Sequence, residues 1–293
     1  MRPKFSIIIP VYNGAKTLAY ALDSIVSQSF SQYEIIIVDG KSTDKTLTII
    51  ESFSKNNPTI KINIISEKDL GIYDAMNKGI QIADGNFLYF MGCDDEFFSA
   101  TVLDKVSSIN DVDLIYGNVI GKITGTKYSS NSLEHVLITG IHHQGIFYNK
   151  NIFKSVGNYD IRFKIASDYH LTLKIFLNSV FNVKMIDLNI SHFGETGTSS
   201  NGFDYKFYSY HYRLLHKSIN ISRFESSHEC LNKSIYCCLY LAKNKQSLFF
   251  AWQNLMYYLF RVSDLNFKYR LSTFVNMVYW TIRPKDSNTL KKD

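Results

Sequence analysis

Residues 4–46 read KFSIIIPVYNGAKTLAYALDSIVSQSFSQYEIIIVDGKSTDKT, and the two apolar runs inside this stretch decide the fold. FSIIIPV (5–11) and YEIIIV (33–38) are short, β-branched and nearly continuous, the pattern of strands buried on both faces of a parallel sheet. The segment between them, 14–29, has helical character, and a second helix over 43–56 is announced by Ser42-Thr43-Asp44, a good N-cap cluster. The alternation continues with a strand at KINII (61–65), a helix over 71–83 signalled by Asp69 and Gly71, and a strand at NFLYFM (86–91). Strands alternating with helices predict βαβ units and right-handed crossovers. The expected class is α/β, with a Rossmann-like, mostly parallel central sheet flanked by helices.

Ligands of such sheets bind beyond the carboxyl ends of the strands. The residues there are Tyr12-Asn13-Gly14, Asp39-Gly40, Glu67-Lys68-Asp69 and Cys93-Asp94-Asp95-Glu96. Any one Asp in a βα turn is as readily a helix cap as a functional group. Four independent turns that deliver carboxylates, an aromatic ring and glycines to one edge point instead to a site. Adjacent Asp94 and Asp95 repel each other and gain from a shared cation. Mg²⁺ or Mn²⁺ takes one or two protein carboxylates and fills its other positions with phosphate oxygens and water. An acidic rim of this kind needs such an ion to accept a diphosphate; the competing reading is a pair that caps the helix near 99–109. Asp39 ends a buried strand where it can accept a hydrogen bond from a base, and Tyr12 offers a stacking face.

Working outward, 113–119, 122–127 and 146–148 read as strands and 168–178 as a helix. With no Pro/Gly-rich linker in between, residues 1–205 are expected to form one domain. Four further helices, over 206–220, 229–243, 247–262 and 267–282, make a C-terminal extension, 206–293. In the last of them Leu271, Phe274, Val275, Val278 and Ile282 fall on one face.

The chain has 293 residues, 45% hydrophobic and 20% charged, which fits a globular protein and excludes a disordered one. The net charge of +6 divides unevenly: residues 1–205 carry 18 basic and 21 acidic groups, residues 206–293 carry 14 and 5. Four cysteines (93, 230, 237, 238) show no pairing or metal-ligand spacing and read as free thiols of a reducing compartment. The start lacks a signal-peptide pattern and no apolar run reaches about 18 residues, so a cytoplasmic protein is expected. The first strand is followed by no G-x-G-x-x-G, which argues against a dinucleotide oxidoreductase. No nucleic-acid-binding module is recognisable.

IIIPVYNGAKTLAYALDSIVSQSF (7–30), YEIIIVDGKSTDKT (33–46), EKDLGIYDAMNKGIQIADGNFLYF (67–90) and GNFLYFMGCDDE (85–96) together resemble the inverting family-2 glycosyltransferases of GT-A fold, in the branch that builds bacterial O-antigen and other surface polysaccharides. The likeness covers roughly residues 4–200. It implies that Pro10, Tyr12 and Asn13 line a nucleotide pocket, that Asp39 binds uracil, and that Lys68, Asp69 and Gly71 close over ribose and diphosphate. Asp94-Asp95 matches the D-x-D-type motif, with Asp94 near ribose or sugar and Asp95 on Mn²⁺ or Mg²⁺. Cys93 departs from the version of that motif with a leading Asp and leaves a single carboxylate ligand.

In KIASDYHLTLKIF (164–176), Asp168 stands where the family places its catalytic base, although spacing alone also allows an N-cap. His143 and Gln144 resemble an acceptor-side motif, and His192 occupies a position that some relatives turn toward the diphosphate or metal. The Q-x-x-R-W string of processive members is absent, which implies transfer of one sugar per encounter. The resemblance thus implies movement of a hexose or N-acetylhexosamine from a UDP-sugar to a polyprenyl-diphosphate-linked saccharide, with a β linkage from an α donor. A metal-dependent nucleotidyltransferase and a non-catalytic sugar-nucleotide-binding partner are the alternatives.

The basic, aromatic extension suits a membrane-interface element that would hold the protein peripherally on the inner face of the cytoplasmic membrane. A packed helical cap or a homo-oligomer contact fits the same composition. Lys243, Lys245, Arg261, Lys268, Arg270, Arg283 and Lys285 flank its helices.

Overall fold

The computed structural model describes residues 2–195, 202–263 and 265–283; Lys285 lies outside them. The chain divides into two compact units, Met1–Gly202 and Phe203–Asp293. The expected boundary after residue 205 falls in the first turn of a helix that belongs to the second unit.

The first unit is built on a nine-stranded sheet. β1 (Phe5–Val11), β2 (Tyr33–Asp39), β3 (Lys61–Ser66) and β4 (Phe87–Phe90) pair in parallel in the spatial order β3-β2-β1-β4. α1 (Leu18–Val26), α2 (Thr46–Asn56) and α3 (Ile72–Ile82) connect them, as the alternating pattern predicts. Alternate strand residues feed two cores, one on each face of the sheet. Ile7, Ile9, Ile35 and Ile37 pack with Leu18, Leu22 and Ile25 of α1. Ile8, Ile36 and Val38 pack with Met76 and Ile80 of α3. Burial of an aliphatic side chain of this size stabilises by about 1.5–3 kcal/mol, which explains why these runs carry almost no polar residues.

The exception is Glu34, fully buried in β2. It sits at the amino ends of the parallel strands and accepts hydrogen bonds from the Ser6 hydroxyl (2.6 Å) and the Asp84 N–H (2.6 Å), while Lys61 lies 2.8 Å from its other oxygen. A buried carboxylate is tolerated only when it is paired and hydrogen-bonded, and this one is bonded to the approaches of β1, β3 and β4.

The rest of the sheet is mixed. β5 (Glu96–Phe97), β6 (Leu114–Gly121), β8 (Ile146–Asn149) and β9 (Val183–Phe193) extend it in the order β4-β8-β6-β9-β5, and β7 (Lys127–Tyr128) pairs with β6. β8 runs antiparallel to β4 with Tyr89 opposite Phe147, so the segment just before β8 lies at the carboxyl end of β4. The strand expected at 122–127 is instead a turn that closes onto the two-residue β7. β9, eleven residues long, has no counterpart in the sequence reading. Short helices α4 (Val102–Ser107), α5 (Leu133–Ile138) and α6 (Asn151–Val156) and the longer α7 (Ser167–Phe176) complete this unit.

The second unit packs α8 (Tyr205–Ser218), α9 (Ser227–Lys243), α10 (Leu248–Arg261) and α11 (Phe267–Ile282) around Phe207, Tyr212, Ile235, Leu255 and Tyr258. The Tyr258 hydroxyl, inside this core, donates to the Ser209 carbonyl at 2.7 Å. All four cysteines are free, and the three in this unit are buried. No helix is long and apolar enough to cross a membrane among the described residues.

Candidate active site

The carboxyl ends of β1–β4 meet at one rim. Pro10 is buried inside β1, and Tyr12, the first residue beyond it, is 62% exposed. Asn13 takes a left-handed backbone (φ 53°) and bridges two turns: its N–H donates to the Ser42 hydroxyl at 2.8 Å and its side-chain oxygen accepts from the Thr43 N–H at 2.8 Å. Asp39 closes β2 with no exposed surface. Its carboxylate accepts from the Ser42 N–H (3.1 Å) and the Ser66 hydroxyl (2.7 Å). The residue predicted to receive a base is therefore enclosed, and a base N–H would have to share Oδ1 with Ser42, within the acceptor capacity of a carboxylate.

Asp69 bends over the same rim. Its Oδ1 accepts from the Gly71 N–H at 2.9 Å, and a Cβ on Gly40 would meet its Oδ2 at 2.5 Å, so only glycine allows that approach. Gly71 opens α3 at φ 120°, a region that side chains avoid. Lys68 is exposed beside it.

The turn after β4 separates the neighbouring acids. Asp95 is 1% exposed and accepts from the N–H groups of Gly92 and Gly194, both at 2.9 Å. Burial and the adjacent Asp94 charge raise its pKa. Asp95, which the sequence places on the metal, thus ties the turn to β9 with one hydrogen bond to each oxygen. Asp94 is half-buried, and its carboxylate accepts no hydrogen bond among the described residues. A Cβ on Gly194 would come within 2.4 Å of its Oδ2, so the glycine leaves that oxygen uncovered. Lys122 pins the turn through the Asp94 carbonyl and an ion pair with Glu96 (2.7 Å). Burial and Asp94 push the Cys93 thiol up to about 11.

His192 sits opposite Glu96 in the β5–β9 ladder with its ring stacked on Phe98, 4.8 Å between centroids. No group of three His, Cys, Asp or Glu side chains fit to hold a metal exists among the described residues. The open Asp94 carboxylate, with Gly194 beside it, does fit an ion that completes its shell from phosphates and water.

Asp168 lies in the first turn of α7, where its carboxylate also accepts the Tyr169 N–H. Its Oδ2 is 3.1 Å from His143 Nδ1 and its Oδ1 is 2.8 Å from the Tyr73 hydroxyl, which also reaches the Ile165 carbonyl. His143 precedes β8 and Tyr73 opens α3, so topology brings all three to the carboxyl rim. Burial alone would raise the Asp168 pKa, but His143 and the Tyr73 hydroxyl outweigh it and hold the carboxyl below the usual range. Burial also works against an imidazolium at His143, yet the Asp168 carboxylate, with Asp95 and Asp94 beyond, holds it above its usual value. About a sixth of each of these two side chains, His143 and Asp168, is open to solvent.

Gln144, expected to touch an acceptor, is 4% exposed and points inward: Oε1 is 2.7 Å from His142 Nδ1. An amide oxygen only accepts, so His142 donates from Nδ1. Burial and the neighbouring His143 push His142 down to about 4, consistent with a neutral ring. The Gln144 side chain thus braces the histidine turn. Tyr73 and Gly194 have no place in the sequence reading. Tyr73 lay inside a quoted motif, where an aromatic hydroxyl in the first turn of a helix beyond β3 was the available signal.

Comparison with known proteins follows the same outline. The family model for Glycosyl transferase family 2 matches residues 6–183. A PGL/p-HBAD biosynthesis glycosyltransferase of Mycobacterium bovis is 35% identical over 205 residues, covering 68% of this chain and 80% of the relative. Among solved structures, Staphylococcus aureus TarS 1–349 in complex with UDP-GlcNAc superposes with a TM-score of 0.61 at 18% identity, over 95% of this chain and 81% of that one. The mannosyltransferase PcManGT from Pyrobaculum calidifontis, in complex with GDP-Man and Mn²⁺, gives 0.58 at 16% identity, over 100% and 89%. The chain belongs to glycosyl transferase family 2 and has that family's GT-A fold.

Proposed function

We propose that the protein transfers a single hexose or N-acetylhexosamine from a UDP-sugar to a polyprenyl-diphosphate-linked saccharide, with inversion, in the assembly of a surface polysaccharide such as O-antigen. The observation that carries this reading is the Asp168 carboxylate, kept ionised by His143 and Tyr73 on the rim that also holds Asp39 and Asp94. Direct displacement needs a base within hydrogen-bond reach of the attacking oxygen. Asp168 takes the acceptor hydroxyl proton while the new O–C1 bond forms and the C1–O bond to the diphosphate breaks. From an α donor the product is β-linked.

The remaining side chains divide the donor among them. Tyr12 stacks on the base from its exposed position, Pro10 and Asn13 shape that pocket, and Asp39 accepts the base N–H. Lys68, Asp69 and Gly71 form the loop over ribose and diphosphate. The two neighbouring acids exchange the parts expected from the sequence: Asp94 holds Mn²⁺ or Mg²⁺, and Asp95 sets the turn. When bound, the divalent ion supplies positive charge to the departing diphosphate. His143 orients Asp168 and preserves its charge, at the entrance expected for the acceptor. A lipid-linked acceptor requires the protein to work at a membrane surface, and the basic C-terminal unit is suited to meet it.

The deciding experiment is UDP release from a panel of UDP-sugars with Mn²⁺ and a synthetic lipid-linked acceptor. Acceptor-dependent release supports the reading. Pyrophosphate release from nucleoside triphosphates, or tight donor binding without turnover, overturns it.

A further inference from the structure

The expected apolar face of α11 is present, but it points to solvent. The edge that α11 buries consists of Thr273 and Met277. Phe267, Leu271, Phe274, Val275 and Ile282 recur at i, i+4, i+7, i+8 and i+15 and are all exposed, Phe267 to 78% and Ile282 to 77%. α10 carries a second exposed row, Phe249 (84%) and Phe260 (76%), at i and i+11.

The two rows form one face. α10 and α11 are antiparallel: the Trp252 indole N–H, early in α10, donates to the Thr281 hydroxyl late in α11 at 3.0 Å, and Arg270, early in α11, reaches the Leu259 and Val262 carbonyls at the end of α10. At about 100° per residue, the exposed row follows the seam residues in the same rotational sense on each helix. In an antiparallel pair that places both rows on one side. Isolated exposed apolar residues are ordinary, whereas a contiguous patch across two helices marks a partner.

Charge identifies the partner. From Ser247 to Arg283 the hairpin contains Arg261, Lys268, Arg270 and Arg283 and one acid, Asp264. Lys268 is exposed next to the row, and Arg283 lies over Tyr279 at 5.6 Å. A second copy of such a face would bring like charges together, while an anionic lipid surface complements them. Apolar rows edged by aromatic rings and cations are the composition of helices that lie in the headgroup region.

We infer that the α10–α11 hairpin docks on anionic membrane, with Phe249, Phe260, Phe267, Leu271 and Ile282 entering the headgroup boundary and Lys268 and Arg283 meeting lipid phosphates. This deepens the reading of a lipid-linked acceptor by naming the face that meets the bilayer. The test is sedimentation of the full chain with vesicles of phosphatidylcholine carrying about 30% phosphatidylglycerol, against pure phosphatidylcholine, for the parent and for Phe260→Asp/Ile282→Asp. The parent should bind the anionic vesicles, less so as salt rises, and the double variant should bind at least about tenfold more weakly, since it replaces two buried contacts by like-charged repulsion. Lys268→Gln/Arg283→Gln, which leaves the apolar rows intact, should lose several-fold on anionic vesicles only.

Equal vesicle binding by parent and the Asp variant overturns the inference. So does a parent that is dimeric by light scattering, ignores vesicles and becomes monomeric on the same substitutions. UDP release with a water-soluble acceptor, measured on the same samples, should be unchanged, which separates failure of this surface from failure of the transferase reading.

Discussion

Replacing Asp168 by Asn removes the capacity to accept a proton while keeping the side chain's shape. An amide oxygen can still receive the Tyr73 hydroxyl at the position of Oδ1, 2.8 Å away. General-base assistance contributes roughly 10²–10⁴-fold, which corresponds to about 3–5 kcal/mol of barrier. The structural cost is smaller. His143 stands 3.1 Å from the carboxylate, whose charge outweighs burial in holding the imidazole protonated. Without that charge, burial, the largest influence on His143, favours the neutral ring, which avoids a stranded buried cation; stranding one would cost about 3–5 kcal/mol. The residual loss is about 1 kcal/mol, or about 2–4 °C in Tm for a unit of this size. The assay is acceptor-dependent UDP release, with donor affinity by calorimetry and Tm measured on the same preparations. The expected outcome is a kcat lower by about 10²–10⁴, with donor Kd within about twofold and a Tm loss of a few degrees. Turnover within about threefold of the parent, with donor binding intact, refutes the role given to Asp168.

Three further outcomes are expected. Asp94→Asn should abolish the part of UDP affinity that depends on Mn²⁺ or Mg²⁺, read by titration with and without chelator, while Asp95→Ala should mainly cost stability: the Gly92 and Gly194 N–H groups lose their acceptor, roughly 1–3 kcal/mol each if left dry, read by denaturant unfolding. Gly194→Ala should depress ion-dependent UDP affinity more than Tm, because its Cβ would overlap Asp94 Oδ2; a variant that binds UDP and Mn²⁺ like the parent contradicts the ion site. His143→Gln should move the acid limb of kcat to higher pH, because Asp168 loses the partner that holds its pKa down. The sign for stability is separate: the raised His143 pKa stabilises fully below its ordinary 6.5 and fades as pH rises through the folded value, so the same substitution should cost more in unfolding free energy at pH 5.5 than at pH 9.

The parallel half of the sheet was legible because each of its strands is an apolar run bounded by turn residues, a local signal. β9 was not, since its side chains are mostly half-buried and its partner β6 lies some seventy residues earlier, so nothing within the segment announces the pairing. The rim residues Tyr12, Asn13, Asp39, Asp69 and Asp94 were placed by strand ends alone. That Asp95 and not Asp94 takes the Gly92 and Gly194 N–H groups was not, because it turns on the tertiary approach of two backbone amides. The His143–Asp168 contact escapes sequence spacing for the same reason: a segment before β8 and the start of α7 meet only through tertiary packing. In α11 periodicity reveals a face but cannot say what it faces, and here the face that packs is a narrow edge of Thr273 and Met277.

The buried Glu34 has a consequence for how such a scaffold diversifies. It fastens the amino ends of the parallel strands through Ser6, Asp84 and Lys61, at the pole remote from Asp39 and Asp94. Rigidity and recognition are thereby assigned to opposite poles of one layer. Loops at the recognising pole can be lengthened or rewritten for new sugars without loosening the strands, whereas Glu34→Gln should slacken the whole fan while leaving every ligand-facing group in place. Libraries that seek altered donor preference should therefore vary the loop tips and spare this knot.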